Sequence, residues 1–140
     1  MAQVLLGMGS NIEPELNLVR AATALRIQFD DIIFSSVYRS VAVGMKGDDF
    51  LNACCLFDTE LSKQEINSLL KSVEDAQQRD RSKGSWKPRT LDLDLLIYDK
   101  QIVGEDLHLY AHAFVPAAEL IDVDFPHDKE GLLSRLALTL

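Results

Sequence analysis

The stretch Pro88-Arg89-Thr90-Leu91-Asp92-Leu93-Asp94-Leu95-Leu96-Ile97-Tyr98 alternates like a β-strand, yet two of its residues are aspartates. In a strand, alternate side chains share a face and the rise is about 3.3 Å per residue, which puts the Cα atoms of Asp92 and Asp94 roughly 6.5 Å apart on one side. Leu91, Leu93 and Leu95 take the other side, where they can be buried. Two like charges so close repel each other, and a divalent cation or an arginine would relieve that repulsion. An edge strand with a solvated acidic face is the competing reading of an isolated Asp-x-Asp.

The surrounding sequence predicts an α+β fold around this strand. Residues 4–8 read as a short buried strand that Gly9-Ser10-Asn11 ends, with a tight turn expected over Gly7-Met8-Gly9-Ser10. Pro14 suits a first helical turn, and Leu18, Ala22, Leu25 and Phe29 follow at helical spacing. Residues 32–38, rich in β-branched and aromatic side chains, form the expected second strand, residues 40–49 a loop, and residues 51–57 the third strand. Ser62-Lys63-Gln64-Glu65 has the form of a capping box ahead of a buried stripe of Ile66, Leu69, Leu70 and Val73. From residue 79 to 87 the chain is nearly devoid of apolar residues except Trp86, which reads as a mobile loop before the fourth strand. The order βαββαβ predicts a ferredoxin-like sandwich, an antiparallel four-stranded core sheet with helices on one face. Short helices are expected in the tail, at residues 116–120 and 131–138.

Residues 1–140 suit a single domain large enough to bury a core without staples. A net charge of −8 argues against extended nucleic-acid binding. No apolar run approaches membrane-spanning length, and the apolar start Val4-Leu5-Leu6 is too short for a secretory signal. The only cysteines, Cys54 and Cys55, are adjacent and poorly placed for a disulfide, so a cytoplasmic chain is expected. A monomer is expected as well. His108, His112 and His127 are too irregularly spaced for a zinc set. Against the acidic background, Arg79, Arg81, Lys83, Lys87 and Arg89 cluster just before the aspartates. A carboxylate pair beside such a cluster is the composition of a phosphate-transfer site, in which Mg²⁺ neutralises phosphate oxygens and arginines hold the migrating group. Phe50, Trp86 and Phe114 are candidates for stacking on a flat ligand.

The segment Arg79-Asp80-Arg81 followed by Trp86-Lys87-Pro88-Arg89-Thr90-Leu91-Asp92-Leu93-Asp94 resembles the signature of the 6-hydroxymethyl-7,8-dihydropterin pyrophosphokinases of the folate pathway. Gly9-Ser10-Asn11, Tyr38-Arg39-Ser40 and Phe50-Leu51-Asn52 are similar to that family's segments in the same order, and the likeness covers roughly residues 3–120. It implies a pyrophosphokinase domain that moves the terminal two phosphoryl units of ATP to the pterin hydroxymethyl group, leaving AMP. Carried over by position, Asp92 and Asp94 would bind two Mg²⁺ ions. Asn52 would meet the polar edge of the pterin, with Ser40 and the Val43 backbone nearby, and Phe50 and Phe114 would sandwich the ring. Glu74, Arg79, Arg81, Arg89 and Leu95 would line the ATP side, with Trp86 on a closing lid beside the pterin and Arg81 and Arg89 serving catalysis.

The chain also departs from the family pattern. It reads Ser40-Val41-Ala42 where a threonine followed by proline is usual, and it has Gln78 and Lys87 where glycines are common. The segment from Leu107 to Phe114 is shorter by several residues, so a histidine and an arginine expected on the triphosphate have no clear counterpart. A binding protein that keeps pterin or Mg-nucleotide affinity without efficient transfer is therefore the alternative expectation.

Overall fold

The structure, a computed structural model, describes residues 1–40, 50–77, 91–104, 107, 110–122 and 133–140. The elements run β1 (Ala2–Ser10), α1 (Pro14–Gln28), β2 (Ile33–Phe34), β3 (Val37–Ser40), β4 (Phe50–Thr59), α2 (Lys63–Gln77), β5 (Asp92–Tyr98), β6 (Gln101–Ile102), α3 (Ala111–Leu120) and β7 (Leu133–Leu136). The strands form one sheet in the order β6-β5-β1-β4-β3-β7, with β2 also paired to β4. Every described pairing is antiparallel. Its centre, β5-β1-β4-β3, is the split βαββαβ sheet expected from the element order.

Strand parity divides the core in two. Val4, Leu6 and Met8 of β1, Leu51, Ala53, Cys55 and Phe57 of β4, and Leu93 and Leu95 of β5 face α1 and α2. Leu18, Ala21, Ala22 and Leu25 meet them from α1, and Ile66, Leu70 and Val73 from α2. Phe29, just past α1, stacks on Phe57 with ring centroids 3.8 Å apart. The start of α2 is the capping box read from the sequence: the Glu65 N–H donates to Ser62 Oγ at 3.1 Å and the Ser62 N–H to Glu65 Oε1 at 3.0 Å. A second cluster of Leu5, Cys54, Leu96, Ile97, Leu107, Ala113, Phe114 and Ala117 occupies the opposite face, where the tail's helix α3 lies.

Four local expectations are corrected. Gly7 to Ser10 is not a turn, because β1 continues through Ser10 in register with β4 as far as Ser10↔Leu51. The second strand is broken: Phe34 faces Cys55 and Tyr38 faces Asn52, so this strand carries one more residue than β4 over that stretch, a β-bulge. Ser35 makes the bulge affordable in hydrogen bonds, since its N–H donates to the Cys54 carbonyl and its Oγ accepts from the Cys54 N–H, both at 2.8 Å. The described end of the chain is strand β7 rather than a helix, because the open edge of β3 offers unpaired backbone groups to Leu133–Leu136. The helix expected at residues 116–120 starts earlier, at Ala111, and carries Pro116 inside it. Of the loop read at residues 40–49, Ser40 belongs to β3, where it pairs with Phe50, and residues 41–49 lie outside the described residues, as does the loop read at 79–87.

Candidate functional site

The site face is the one opposite α1 and α2, and strand register places its residues. Gly9 of β1 lies between Asp92 of β5 and Asn52 of β4, and Asn52 faces Tyr38 of β3, so Asp92, Gly9, Asn52 and Tyr38 form a row straight across the sheet. Two residues along each strand, Asp94, Gly7 and Cys54 make a parallel row. Strands stand about 4.8 Å apart, so the carboxylate end and the amide end of the first row are roughly 10 Å from each other.

At the amide end, Asn52 is buried and its Nδ2 donates to Ser40 Oγ at 2.7 Å. Phe50, half-buried, pairs with Ser40 at the mouth of β4. The bulge at Ser35 and Ser36 puts Ser40 here; an unbroken alternation from Phe34 would turn Tyr38 and Ser40 toward α1 and α2 instead. Tyr38 Oη and the Ser36 N–H both donate to the Glu119 carboxylate of α3, the latter at 3.0 Å, which ties this edge of the sheet to the helix. Burial raises the Glu119 carboxyl, but those two donors and Arg135 outweigh it and hold the group below the ordinary glutamate value. Burial, followed by the hydrogen bond to Glu119, pushes the Tyr38 phenol up.

At the carboxylate end, Asp94 is exposed and Asp92 half-buried, while Leu91, Leu93 and Leu95 are buried as the alternation requires. Glu74 of α2 accepts a hydrogen bond from the Leu93 N–H at 2.8 Å. That N–H lies between the two aspartates on the backbone, so Glu74 fixes the strand segment carrying them. Leu95 sits in the core on the α1 and α2 side, so its contribution to a ligand would run through its backbone.

Phe114 is buried in the second cluster on α3. Tyr110 stacks on His112 at the start of that helix, with centroids 5.0 Å apart. Cys54 and Cys55 are free and fully buried, and burial pushes both thiols well above their ordinary range, so they are inert packing residues. Val43, Arg79, Arg81, Trp86 and Arg89 lie outside the described residues.

The structure thus gathers Asp92, Asp94, Ser40, Phe50 and Asn52 onto one side of one sheet, with Phe114 on the helix that covers part of it. Sequence reading missed Gly9, taken for a turn, and the link from Tyr38 to Glu119. Strict alternation running through Gly7 and Gly9 was the available signal for the first; nothing in the sequence marks the second. Two carboxylates are hard oxygen donors of the kind that suit Mg²⁺, which completes its shell with waters and substrate phosphates. Among the described residues no cluster of three or more His, Cys, Asp or Glu side chains could hold a metal ion. No helix among them is long and apolar enough to cross a membrane.

The fold is thus an α+β sandwich that carries a carboxylate pair at one end of a sheet face and a buried amide at the other. Residues 5–125 match the family described as 7,8-dihydro-6-hydroxymethylpterin-pyrophosphokinase, and the chain belongs to that family. It is 33% identical to the 2-amino-4-hydroxy-6-hydroxymethyldihydropteridine pyrophosphokinase of Aquifex aeolicus (strain VF5), over 82% of this chain and 72% of that protein. The enzyme of the same name from Haemophilus influenzae is 30% identical over 86% of this chain and 82% of its own length. The bifunctional protein FolKE of Lactococcus lactis subsp. lactis is 34% identical over 91% of this chain, which spans 40% of that larger protein.

Proposed function

We propose that this protein transfers pyrophosphate from ATP to the hydroxymethyl group of 6-hydroxymethyl-7,8-dihydropterin, acting as a single-domain monomer in folate biosynthesis. The observation that supports the reading is the row Asp92–Gly9–Asn52, which sets a carboxylate end and an amide end on one face of the sheet. The acceptor hydroxyl oxygen attacks the β-phosphorus of ATP, the new O–P bond forms as the bond from that phosphorus to the α-phosphate oxygen breaks, AMP leaves with that electron pair, and the hydroxyl proton is released to solvent. Asn52, steadied by Ser40, orients the pterin edge, and Phe50 and Phe114 with Trp86 hold its ring by stacking. The Val43 backbone completes that side.

Asp92 and Asp94 would hold two Mg²⁺ ions. When bound, those ions would neutralise phosphate charge and make the acceptor hydroxyl more acidic. Glu74, Arg79, Arg81, Arg89 and the Leu95 backbone line the nucleotide side, with Arg81 and Arg89 on the migrating phosphates. Family membership and the retained carboxylates support transfer rather than binding alone. Incubation with ATP, Mg²⁺ and the hydroxymethyl pterin should release AMP and the pterin diphosphate in equal amounts. Release of ADP, or of AMP without the pterin product, would refute it.

A further inference from the structure

Gly7 and Gly9 both turn toward the site face, yet the space beside them differs. A methyl group on Gly7 would lie 3.1 Å from Leu96 Cδ1, in a place the core already fills. On Gly9 it would lie 3.3 Å from Asn52 Oδ1 and 3.8 Å from the Leu51 carbonyl oxygen. Neither glycine is among those with positive φ, so the backbone tolerates a side chain and the requirement is spatial. Asn52 cannot simply retreat. It is buried, and its Nδ2 is held on the far side by Ser40 Oγ at 2.7 Å, which leaves Oδ1 facing β1.

We infer that Gly9 is a positioning residue for ligand recognition: its bare Cα keeps Asn52 Oδ1 in place as an acceptor for the N–H groups along the edge of a flat heterocycle. This rests on the pterin reading above. The effect passes through Asn52, so it belongs to binding of the acceptor and not to the nucleotide.

The test is calorimetric titration of 6-hydroxymethyl-7,8-dihydropterin, with Mg²⁺ and an ATP analogue blocked between its α- and β-phosphates, into five proteins. Gly9→Ala should weaken pterin binding about tenfold, the scale of one compromised hydrogen bond, and leave binding of the analogue within about twofold. Gly7→Ala, which crowds only core, should lower the melting temperature by a few degrees, roughly the cost of overpacking, with pterin affinity kept. In an Asn52→Ala background, Gly9→Ala should cost nothing further, because the group it displaces is gone. Should Gly9→Ala alone fail to fold, the double variant should fold if the clash is with Asn52, and its failure would overturn the inference. An unchanged pterin affinity in Gly9→Ala, or an equal loss in both backgrounds, would also overturn it while leaving the proposed function intact. Wild-type protein that binds the analogue but no pterin would overturn both.

Discussion

The two faces of β5 alternate residue by residue and have opposite fates. Leu91, Leu93 and Leu95 are locked into the core beneath α1 and α2, while Asp92 and Asp94 stand on the partly open face. One side of the strand stores stability and the other holds charge at the surface. The separation teaches that chemistry and folding energy are insulated by strand parity, so substitutions one residue apart should affect different measurements.

The largest effect is expected on the charged side. Asp92→Ala and Asp94→Ala should each lower pyrophosphoryl transfer by about 10²–10³-fold or more, the scale of losing a group that stabilises transition-state charge. The melting temperature should stay within a few degrees, since neither change removes core volume. Loss of folding in the Asp94→Ala protein would break the comparison, because the carboxylate would then be structural. On the buried side, Leu93→Ala should reverse the pattern, costing about 2–5 kcal/mol in denaturant unfolding while folded molecules keep most of their turnover.

Glu74 reaches from α2 to the Leu93 N–H at 2.8 Å, between the two aspartates along the backbone. Glu74→Ala should cost about 1.5–3 kcal/mol, the range for hydrogen bonds to charged groups, and Glu74→Gln less because an acceptor remains. Equal losses in urea titrations of the two variants would show that the carboxylate's charge, not its acceptor, holds the strand. Ser62→Ala lies far from the site, removes the Oγ that caps α2, and should cost about 1 kcal/mol with no change in transfer.

The smallest effect concerns pH at the opposite edge of the site face. Glu119 is held below its ordinary value of 4.5, so the folded state binds its proton less readily than the unfolded chain. The stability it contributes is complete above that value and is lost as the pH falls through the lower, folded one. Glu119→Gln should therefore flatten the acid limb of a melting-temperature profile. An acid limb identical to wild type would remove the Tyr38–Glu119 link from the account.

Much of this was legible in local patterns. Period-two alternation in β5 named the face of both aspartates, the capping box fixed where α2 begins, and the stripes of α1 and α2 identified the side they bury. These features are written in spacings of a few residues, where one strand or one helix suffices. Identifying the amide end was also possible by resemblance, through Phe50-Leu51-Asn52. Its orientation was not, because a strand's faces depend on its neighbours. Ser40 reaches Asn52 only because the bulge at Ser35 shifts parity between Phe34 and Tyr38, and that shift exists in the pairing with β4 rather than in either segment.

The same reason governs Gly9 and β7. Gly9-Ser10-Asn11 has turn composition, yet pairing on both sides carries β1 through Ser10. Leu133–Leu136 became a strand because β3 had an open edge, which no local propensity records. The sequence by itself determined the order of elements, the buried stripes and the presence of a carboxylate pair, since these depend on periodicity and residue chemistry along the chain. Only the tertiary structure decided that Asp92, Gly9 and Asn52 share a row, because hydrogen-bond register between strands distant in sequence is set when all of them pair at once.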